Sequence, residues 1–388
     1  MTGLPPAIRD AVEHCFRENF AVRGELGATV SIWRDGEEVL SLAQGFANRE
    51  HTKSWTTDTL VPVWSATKGP AAVACLLALH EAGLPLEAPV AQVWPEFARA
   101  GKAEVTFDQV LAHRAGLCAL DERVPISDYR AVIQALEHQA PLWPPGSTQA
   151  YHARTFGFIL DEIVRRITST DSLGLYFDER FGRPLSLDFW IGLPEAQHDR
   201  VARLYPGKLN GSNADQAFLK AFQTPGSATQ RTFSSPVGLS AVQDFNQPHT
   251  WTQGHASMGG VGSARGLAKF YSVLANGGQW QGVQIIPSWI QTALSKAVPS
   301  VVDAVLCAPV AFHAGMMRDP VDAGTGAKSR RLFGPSQSAF GHPGAGGSLA
   351  FADPEIGIAF AYVMNQMEVG VLPSQRATGL VEALYAGL

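Results

Sequence analysis

The stretch Val61–Leu84, "VPVWSATKGPAAVACLLALHEAGL", places a serine and a lysine three residues apart at the start of a predicted helix. Residues at positions i and i+3 share one face of a helix, so Ser65 and Lys68 point the same way. A serine hydroxyl is a poor nucleophile unless a base takes its proton, and a lysine in apolar surroundings can be that base. Ser-x-x-Lys is also common at ordinary helix starts, where the serine caps the helix. The motif therefore indicates a catalytic pair only if partner residues occur elsewhere in the chain.

The composition is that of a globular protein with no disordered bias. Of 388 residues, 46% are hydrophobic and 17% are charged, and the formal net charge is −5. This mildly acidic balance without a basic run argues against nucleic acid or an anionic membrane as partner. The four cysteines are widely spaced and the histidines are dispersed, which predicts reduced, mostly buried thiols and no metal site.

The location expected from the sequence is the cytoplasm. Residues 1–20 lack a basic segment followed by an apolar one, so no secretory signal is visible. No window approaches the roughly 18 uninterrupted apolar residues of a membrane span.

The chain has strand-rich ends around a helical middle. Asp35-Gly36 lies between two alternating runs, Ala28–Trp33 and Glu38–Ala43, and predicts a hairpin. The stretch from 346 to 365 predicts a second hairpin, and the two most economically share one antiparallel sheet. We therefore expect an α/β (α+β) fold in which residues 1–63 and 240–388 form a discontinuous domain and residues 64–239 form a mostly helical one.

The predicted helix contains a proline near its start. In a regular helix beginning at Ser65, Pro70 would leave the Ala66 carbonyl without a donor. We expect a 3₁₀-like first turn, or a regular helix that starts near Lys68.

Three further motifs accompany Ser65 and Lys68. "LAHRAGL" lies at 111–117, "PPGSTQAYHARTFGFIL" at 144–160 brings Tyr151 just ahead of an amphipathic helix, and "FGHPGAGGSLAFADPE" lies at 340–355. In this order the motifs resemble the serine β-lactamase and penicillin-binding protein superfamily, and most closely its family VIII carboxylesterases. The resemblance covers the chain from the first hairpin to Asn365.

The resemblance implies a β-lactamase/transpeptidase-like fold and a role for each matching residue. Ser65 is the expected nucleophile, and Lys68 with Tyr151 the general base and acid. The backbone N–H groups of Ser65 and Ala345 are the expected oxyanion hole. A nearby ammonium is expected to lower the pKa of the Tyr151 phenol, which would suit its role as the general acid.

Two departures from β-lactamases indicate the substrate class. Ala153 stands at the third position of the family's Tyr-x-Asn motif, and His342-Pro343 replace Lys-Thr on the sheet edge. Groups that would hold an acylamino side chain and a carboxylate are therefore missing. We expect a cofactor-free esterase whose partner is a small neutral ester, with short or medium acyl groups.

Five residues are predicted to contact substrate or shape its pocket. His342 and His152 offer polar contacts, Gly344 and Gly346 a close backbone approach, and Trp251 an apolar wall.

Several other activities stay open at this point. The same scaffold could cleave amides as a β-lactamase or peptide hydrolase, or pass the acyl group to an alcohol or amine as an acyltransferase. A non-catalytic binding protein is a further alternative, against which the joint presence of Ser65, Lys68 and Tyr151 argues. The sequence leaves the oligomeric state open.

Overall fold

The computed structural model describes residues 3–207, 216–322 and 324–388. Among these residues there are thirteen strands and twelve α-helices. The strands are β1 Gly27–Arg34, β2 Glu37–Gly45, β3 Val61–Pro62, β4 Phe189–Ile191, β5 Gly260–Gly262, β6 Gln279–Trp280, β7 Val283–Gln284, β8 Val301–Val302, β9 Pro309–His313, β10 Met316–Arg318, β11 Phe340–Pro343, β12 Leu349–Asp353 and β13 Ile358–Met364. The helices are α1 Pro6–Ala21, α2 Lys68–Glu81, α3 Phe107–Leu111, α4 Tyr129–His138, α5 Thr155–Thr168, α6 Leu173–Phe177, α7 Gln216–Gln223, α8 Ala228–Ser234, α9 Pro248–Gln253, α10 Ala264–Ala275, α11 Ser288–Ser295 and α12 Gln375–Tyr385.

One eight-stranded antiparallel sheet is built from both ends of the chain. Its order is β2-β1-β13-β12-β11-β10-β9-β8, so the C-terminal hairpin pairs directly with the N-terminal one. The predicted turn Asp35-Gly36 has positive φ at both residues, as a two-residue type I′ hairpin turn requires. The shared sheet expected from the sequence is confirmed.

Helices cover both faces of this sheet. Helix α10 packs against β1, β12 and β13. On the opposite face, Tyr362 of β13 reaches Glu25, which also pairs with Arg376 of α12. Because neighbouring residues of a strand point to opposite faces, strands covered in this way carry apolar residues at nearly every position. All residues of β12 and β13 are buried.

The middle of the chain forms the helical region. Helices α2 to α8 lie between residues 68 and 234. Helix α2 packs against α5 and α6 and is buried from Lys68 through Leu79, which explains why its sequence is apolar on every side. A small sheet of order β3-β5-β4 ties this region to the segments on either side of it. The proposed boundaries at 63/64 and 239/240 remain a prediction.

Two smaller expectations concern the cysteines and the membrane. The four cysteines are unpaired, three of them buried and Cys307 half-buried, as predicted. Within the described part of the chain, no helix has the length and apolar character needed to cross a membrane.

Candidate active site

A strained 3₁₀ turn presents Ser65. The turn spans Trp64–Thr67 and continues directly into α2 at Lys68, which confirms the predicted helix start. Pro70 is then the third residue of α2, where a backbone N–H would have no partner within the helix. Trp64 has a φ of 51°, a left-handed conformation that is uncommon outside glycine. Such strain persists only where the surrounding structure enforces it, and it is common at functional sites.

Thr67 links this turn to the neighbouring sheet. Its hydroxyl donates to the Trp64 carbonyl at 2.5 Å and accepts from the Gly260 N–H of β5 at 2.9 Å. The two bonds fix the turn between α2 and the small sheet, with the side chain of Ser65 only half-buried.

Lys68 is completely buried and points at Ser65. Its Nζ donates to the carbonyl oxygens of Ala153 and Ser257, both at 2.8 Å, and lies 3.3 Å from Ser65 Oγ. Burial lowers the pKa of Lys68 well below its usual range, and no carboxylate among the described residues opposes this shift. A neutral amine has two N–H bonds and one lone pair. With the N–H bonds directed at the two carbonyls, the lone pair faces the serine hydroxyl.

Tyr151 lies beside the pair. Its ring centroid is 4.8 Å from Lys68 Nζ, and its hydroxyl interacts with the Ser65 side chain. Burial and the Asp303 carboxylate raise the pKa of Tyr151, and the Ser65 interaction opposes that rise only in part. The expectation of a lowered pKa was wrong, because burial of the phenol outweighs the one contact that lowers its pKa. Tyr151 is therefore a neutral phenol that can donate its proton.

The expected oxyanion hole lies where β11 meets the 3₁₀ turn that contains Ser65. A Cβ on Gly344 would lie 2.1 Å from the Val63 carbonyl oxygen, so only glycine allows the two segments to approach this closely. Among the hydrogen bonds of the described residues, none is donated by the N–H of Ser65 or of Ala345. Both groups are thus available to a ligand.

These residues open into a largely apolar cavity of about 150 Å³. Its lining brings together Ser65, Tyr151, His342, Pro343 and Ala345. Apolar side chains from distant segments complete the wall: Trp64, Ala153, Phe233, Leu239, Met258, Leu306, Met317, Val371 and Leu372.

The cation among the described lining residues is already engaged. The guanidinium of Arg154 donates to the carbonyls of Pro236 and Gly238, at 2.7 and 2.6 Å, and to that of Leu239 at 3.0 Å. Arg154 therefore holds one wall of the cavity in place and has its charge satisfied by these carbonyls.

His342 is a neutral residue of the cavity wall. Its Nδ1 lies 2.8 Å from the Pro343 carbonyl, which can only accept, so Nδ1 carries the proton. Burial lowers the pKa of His342 to about 3. His342 therefore cannot replace the cationic lysine of a β-lactamase at this position.

The remaining predicted pocket residues lie outside the cavity lining. His152 is buried and bonds the backbone of Leu117 and Ala150 through its two ring nitrogens. Trp251 donates to the Phe245 carbonyl at 2.6 Å and packs on a separate apolar cluster with Leu60, Leu193 and Val261. Gly346 has a positive φ and faces the side chain of Met367.

Sequence reasoning missed most of the cavity wall and the anchors of Lys68. Phe233, Leu239 and Leu306 come from loops or short helices with no periodic pattern. The carbonyls of Ala153 and Ser257 belong to residues whose side chains carry no signal for this role. The local sequence around the wall residues and the two carbonyls contains no pattern that predicts either role. Only the tertiary structure reveals them.

Comparison with known proteins agrees with this geometry. The family model Beta-lactamase matches residues 12–384. The esterase/beta-lactamase LipL of Mycobacterium tuberculosis is 30% identical over 362 residues, which are 92% of this chain and 81% of LipL.

Two solved structures are similar over the whole chain. A family VIII carboxylesterase has 32% identity and a TM-score of 0.86, with 100% of this chain and 99% of that one covered. A penicillin-binding protein homologue from Caulobacter crescentus has 36% identity and a TM-score of 0.84, with the same coverage. The chain belongs to the beta-lactamase family, and it is a serine hydrolase of this fold. The family resemblance inferred from the motifs is confirmed.

Proposed function

We propose that this protein is a carboxylesterase that hydrolyses small neutral esters through an acyl-enzyme on Ser65. The observation that carries the proposal is the contact between the buried amine of Lys68 and the hydroxyl of Ser65, at 3.3 Å, next to an apolar cavity. The relatives named as esterases support the same assignment.

In acylation, the amine of Lys68 accepts the Ser65 proton as Oγ attacks the ester carbonyl carbon. The N–H groups of Ser65 and Ala345 hold the resulting oxyanion, each worth about 10²–10³ in rate. Collapse of the intermediate breaks the ester C–O bond. The phenol of Tyr151 protonates the departing alkoxide and regains a proton from the Lys68 ammonium.

In deacylation, a water molecule replaces the alcohol. Its proton passes to the same two side chains as its oxygen attacks the acyl carbon, and Ser65 leaves with a proton. The net reaction consumes one ester and one water and releases one acid and one alcohol. No other group is needed.

The cavity favours neutral esters over carboxylate-bearing β-lactams. His342 is uncharged and Pro343 has no N–H, while Arg154 is bound to three carbonyls. A charge-assisted hydrogen bond contributes about 1.5–3 kcal/mol, so its absence costs a carboxylate substrate about one to two orders of magnitude.

Substitution Ser65→Ala tests the proposal. We expect hydrolysis of p-nitrophenyl butyrate to fall by at least about a thousandfold, because the nucleophile is lost. The matched control is Ser147→Ala, which removes an exposed serine outside the cavity lining and should leave the rate unchanged. Intact-mass detection of an acyl adduct in the wild type, absent from the Ser65 variant, would complete the test. Full activity in Ser65→Ala would refute the proposal.

A substrate panel separates the proposed esterase from its rivals. The ester should be turned over faster than nitrocefin and a D-amino-acid peptide by at least about tenfold, given the missing anion-binding group. Adding an alcohol or amine acceptor and analysing the products would reveal an acyltransferase. A panel in which nitrocefin is the better substrate would favour a β-lactamase.

A further inference from the structure

A buried aspartate on the hairpin between β8 and β9 contacts the segment that carries Tyr151. Asp303 has no exposed surface. Its Oδ1 accepts three backbone N–H groups, from Tyr151 at 3.0 Å and from Val305 and Leu306 at 2.9 Å each. Its Oδ2 accepts from the side-chain amide of Gln149 at 3.2 Å. Four donors aimed at two oxygens are the environment of a carboxylate rather than of a carboxylic acid.

These bonds join two distant parts of the chain. Tyr151 and Asp303 are 152 positions apart, and the Ala304 N–H adds a bond to the Gln149 carbonyl at 3.0 Å. Leu306, which is held by the same oxygen, lines the cavity beside Tyr151. One carboxylate thus fixes the tyrosine and part of the facing wall.

His113 holds the residues before and after Tyr151, whereas Asp303 holds the N–H of Tyr151 itself. The neighbouring Ala150 N–H donates to the His113 carbonyl at 3.0 Å, and the His152 N–H to His113 Nδ1 at 3.1 Å. Asp303 supplies the partner of the tyrosine's own N–H. Without it, that buried N–H would be unpaired, which costs about 1–3 kcal/mol and favours a shift of the backbone.

We propose that Asp303 is a positioning residue for Tyr151, holding its phenol beside Ser65 through the backbone N–H. The inference rests on the proposed function, since it concerns the same acyl transfer. A displacement of about 1 Å at a reacting group can cost about a hundredfold in rate. Of the described lining residues, Asp303 bonds Tyr151 and Leu306 alone, so its effect should appear mainly in kcat, with the affinity of the cavity for substrate largely retained.

The experiment compares Asp303→Ala and Asp303→Asn with the wild type on p-nitrophenyl butyrate. We expect Asp303→Ala to lower kcat by about 10–100-fold while KM stays within about twofold. Asp303→Asn keeps a neutral acceptor for the N–H groups and should recover part of the rate, because hydrogen bonds to a charged acceptor are about twice as strong. The control is Asp353→Asn, since Asp353 is also buried and pairs with a different tyrosine, Tyr385. Its kcat should be unchanged.

The same substitutions in a Tyr151→Phe background show whether Asp303 acts through the phenol. If it does, the change in kcat from Asp303→Ala or Asp303→Asn shrinks to within about twofold once the phenol is absent. Wild-type kcat in folded Asp303→Asn, or an equal loss with and without the phenol, would overturn the inference. If Asp303→Ala does not fold, the asparagine variant alone decides. Full activity of Ser65→Ala would instead overturn the proposed function, so the two failures are distinct.

Discussion

At the scale of single residues, the site depends on where the donors of Lys68 point. Two carbonyl oxygens at 2.8 Å fix two directions of its nitrogen, and the longer 3.3 Å contact leaves the third for the serine proton. A lysine held in this way has both the geometry and the lowered pKa that the proposed general base requires. Lys102 is also buried but bonds three carbonyls, those of Arg99, Glu137 and Gln139, and no hydroxyl is among its hydrogen-bond partners in the described residues.

This comparison gives a matched pair of substitutions. Lys68→Met should lower kcat/KM by about 10²–10⁴, the usual contribution of a general base. Lys102→Met should leave kcat/KM unchanged and lower only the free energy of unfolding, because its three carbonyls lose their donor. Ester hydrolysis and urea denaturation of both variants would check this. Equal activity of the two variants would contradict the role given to Lys68.

Glycine at position 344 offers a second residue-scale prediction. In Gly344→Ala the new Cβ would lie 2.1 Å from the Val63 oxygen. The end of β11, and with it the N–H of Ala345, must therefore move away from the 3₁₀ turn that contains Ser65. We expect kcat to fall by about 10² or more, the contribution of one oxyanion donor.

The control for this change is Gly27→Ala. Its Cβ would lie 2.3 Å from the carbonyl oxygen of Phe46, which is a similar collision. Gly27 is in β1, and neither residue lines the cavity. Both variants should be less stable in thermal denaturation, but only Gly344→Ala should lose kcat per folded molecule. A loss of kcat in both would mean that the effect is general destabilisation.

At the scale of secondary-structure elements, we expect both stability and kcat to respond to small side-chain changes in the 3₁₀ turn before α2. Thr67→Val removes both bonds of the hydroxyl, to Trp64 and to Gly260, while keeping the side-chain shape. We expect a loss of about 1–3 kcal/mol in the free energy of unfolding and a severalfold lower kcat. Thr67→Ser keeps the hydroxyl and should restore most of both. Unchanged unfolding and kcat in Thr67→Val would show that the turn does not need this link.

The sequence was informative for elements whose signals are local. Asp35-Gly36 predicted a hairpin because its turn needs two positive φ values, and Pro70 predicted the early 3₁₀ turn because of its missing N–H. Thr106 followed three residues later by Gln109 is a further local signal, typical of a capping box, and both bonds of the box are present at the start of α3.

The parts that sequence reasoning missed depend on contacts between distant segments. Leu306 and Leu372 meet in one cavity through loops that have no helical or strand period. The direction of the pKa shift of Tyr151 was missed for the same reason. It depends on burial and on the Asp303 carboxylate, which lies 152 positions away, and the local sequence encodes neither.

At the scale of the whole molecule, three imidazoles lie buried around Tyr151. His113, His152 and His342 are almost completely buried, and His113 and His342 have ring centroids 5.0 and 6.0 Å from that of Tyr151. Burial lowers the pKa of His152 to about 4 and that of His342 to about 3, and it also lowers the pKa of His113. The native state keeps all three neutral.

Stability should therefore fall on the acid side. At His152 and His342 the unfolded chain binds protons below its histidine pKa of about 6.5, whereas the folded chain does not until about pH 4 or below. Each of these histidines then lowers the free energy of unfolding by about 1.4 kcal/mol per pH unit as the pH falls through that window. Urea denaturation between pH 7.5 and 5 would measure the slope. A flat profile over this range would contradict the burial of neutral imidazoles.

The interleaving of the two chain ends in one sheet has a consequence for biosynthesis. The ribosome makes Ser65 and Lys68 early, but β12 and β13, which lie between β1 and β11, come after residue 348. A nascent chain therefore carries Ser65 and Lys68 long before Ala345 and the strand that supports it exist. Until β13 has been made, one border of β1 has no hydrogen-bonding partner, so under the proposed function hydrolysis has to wait for these later strands.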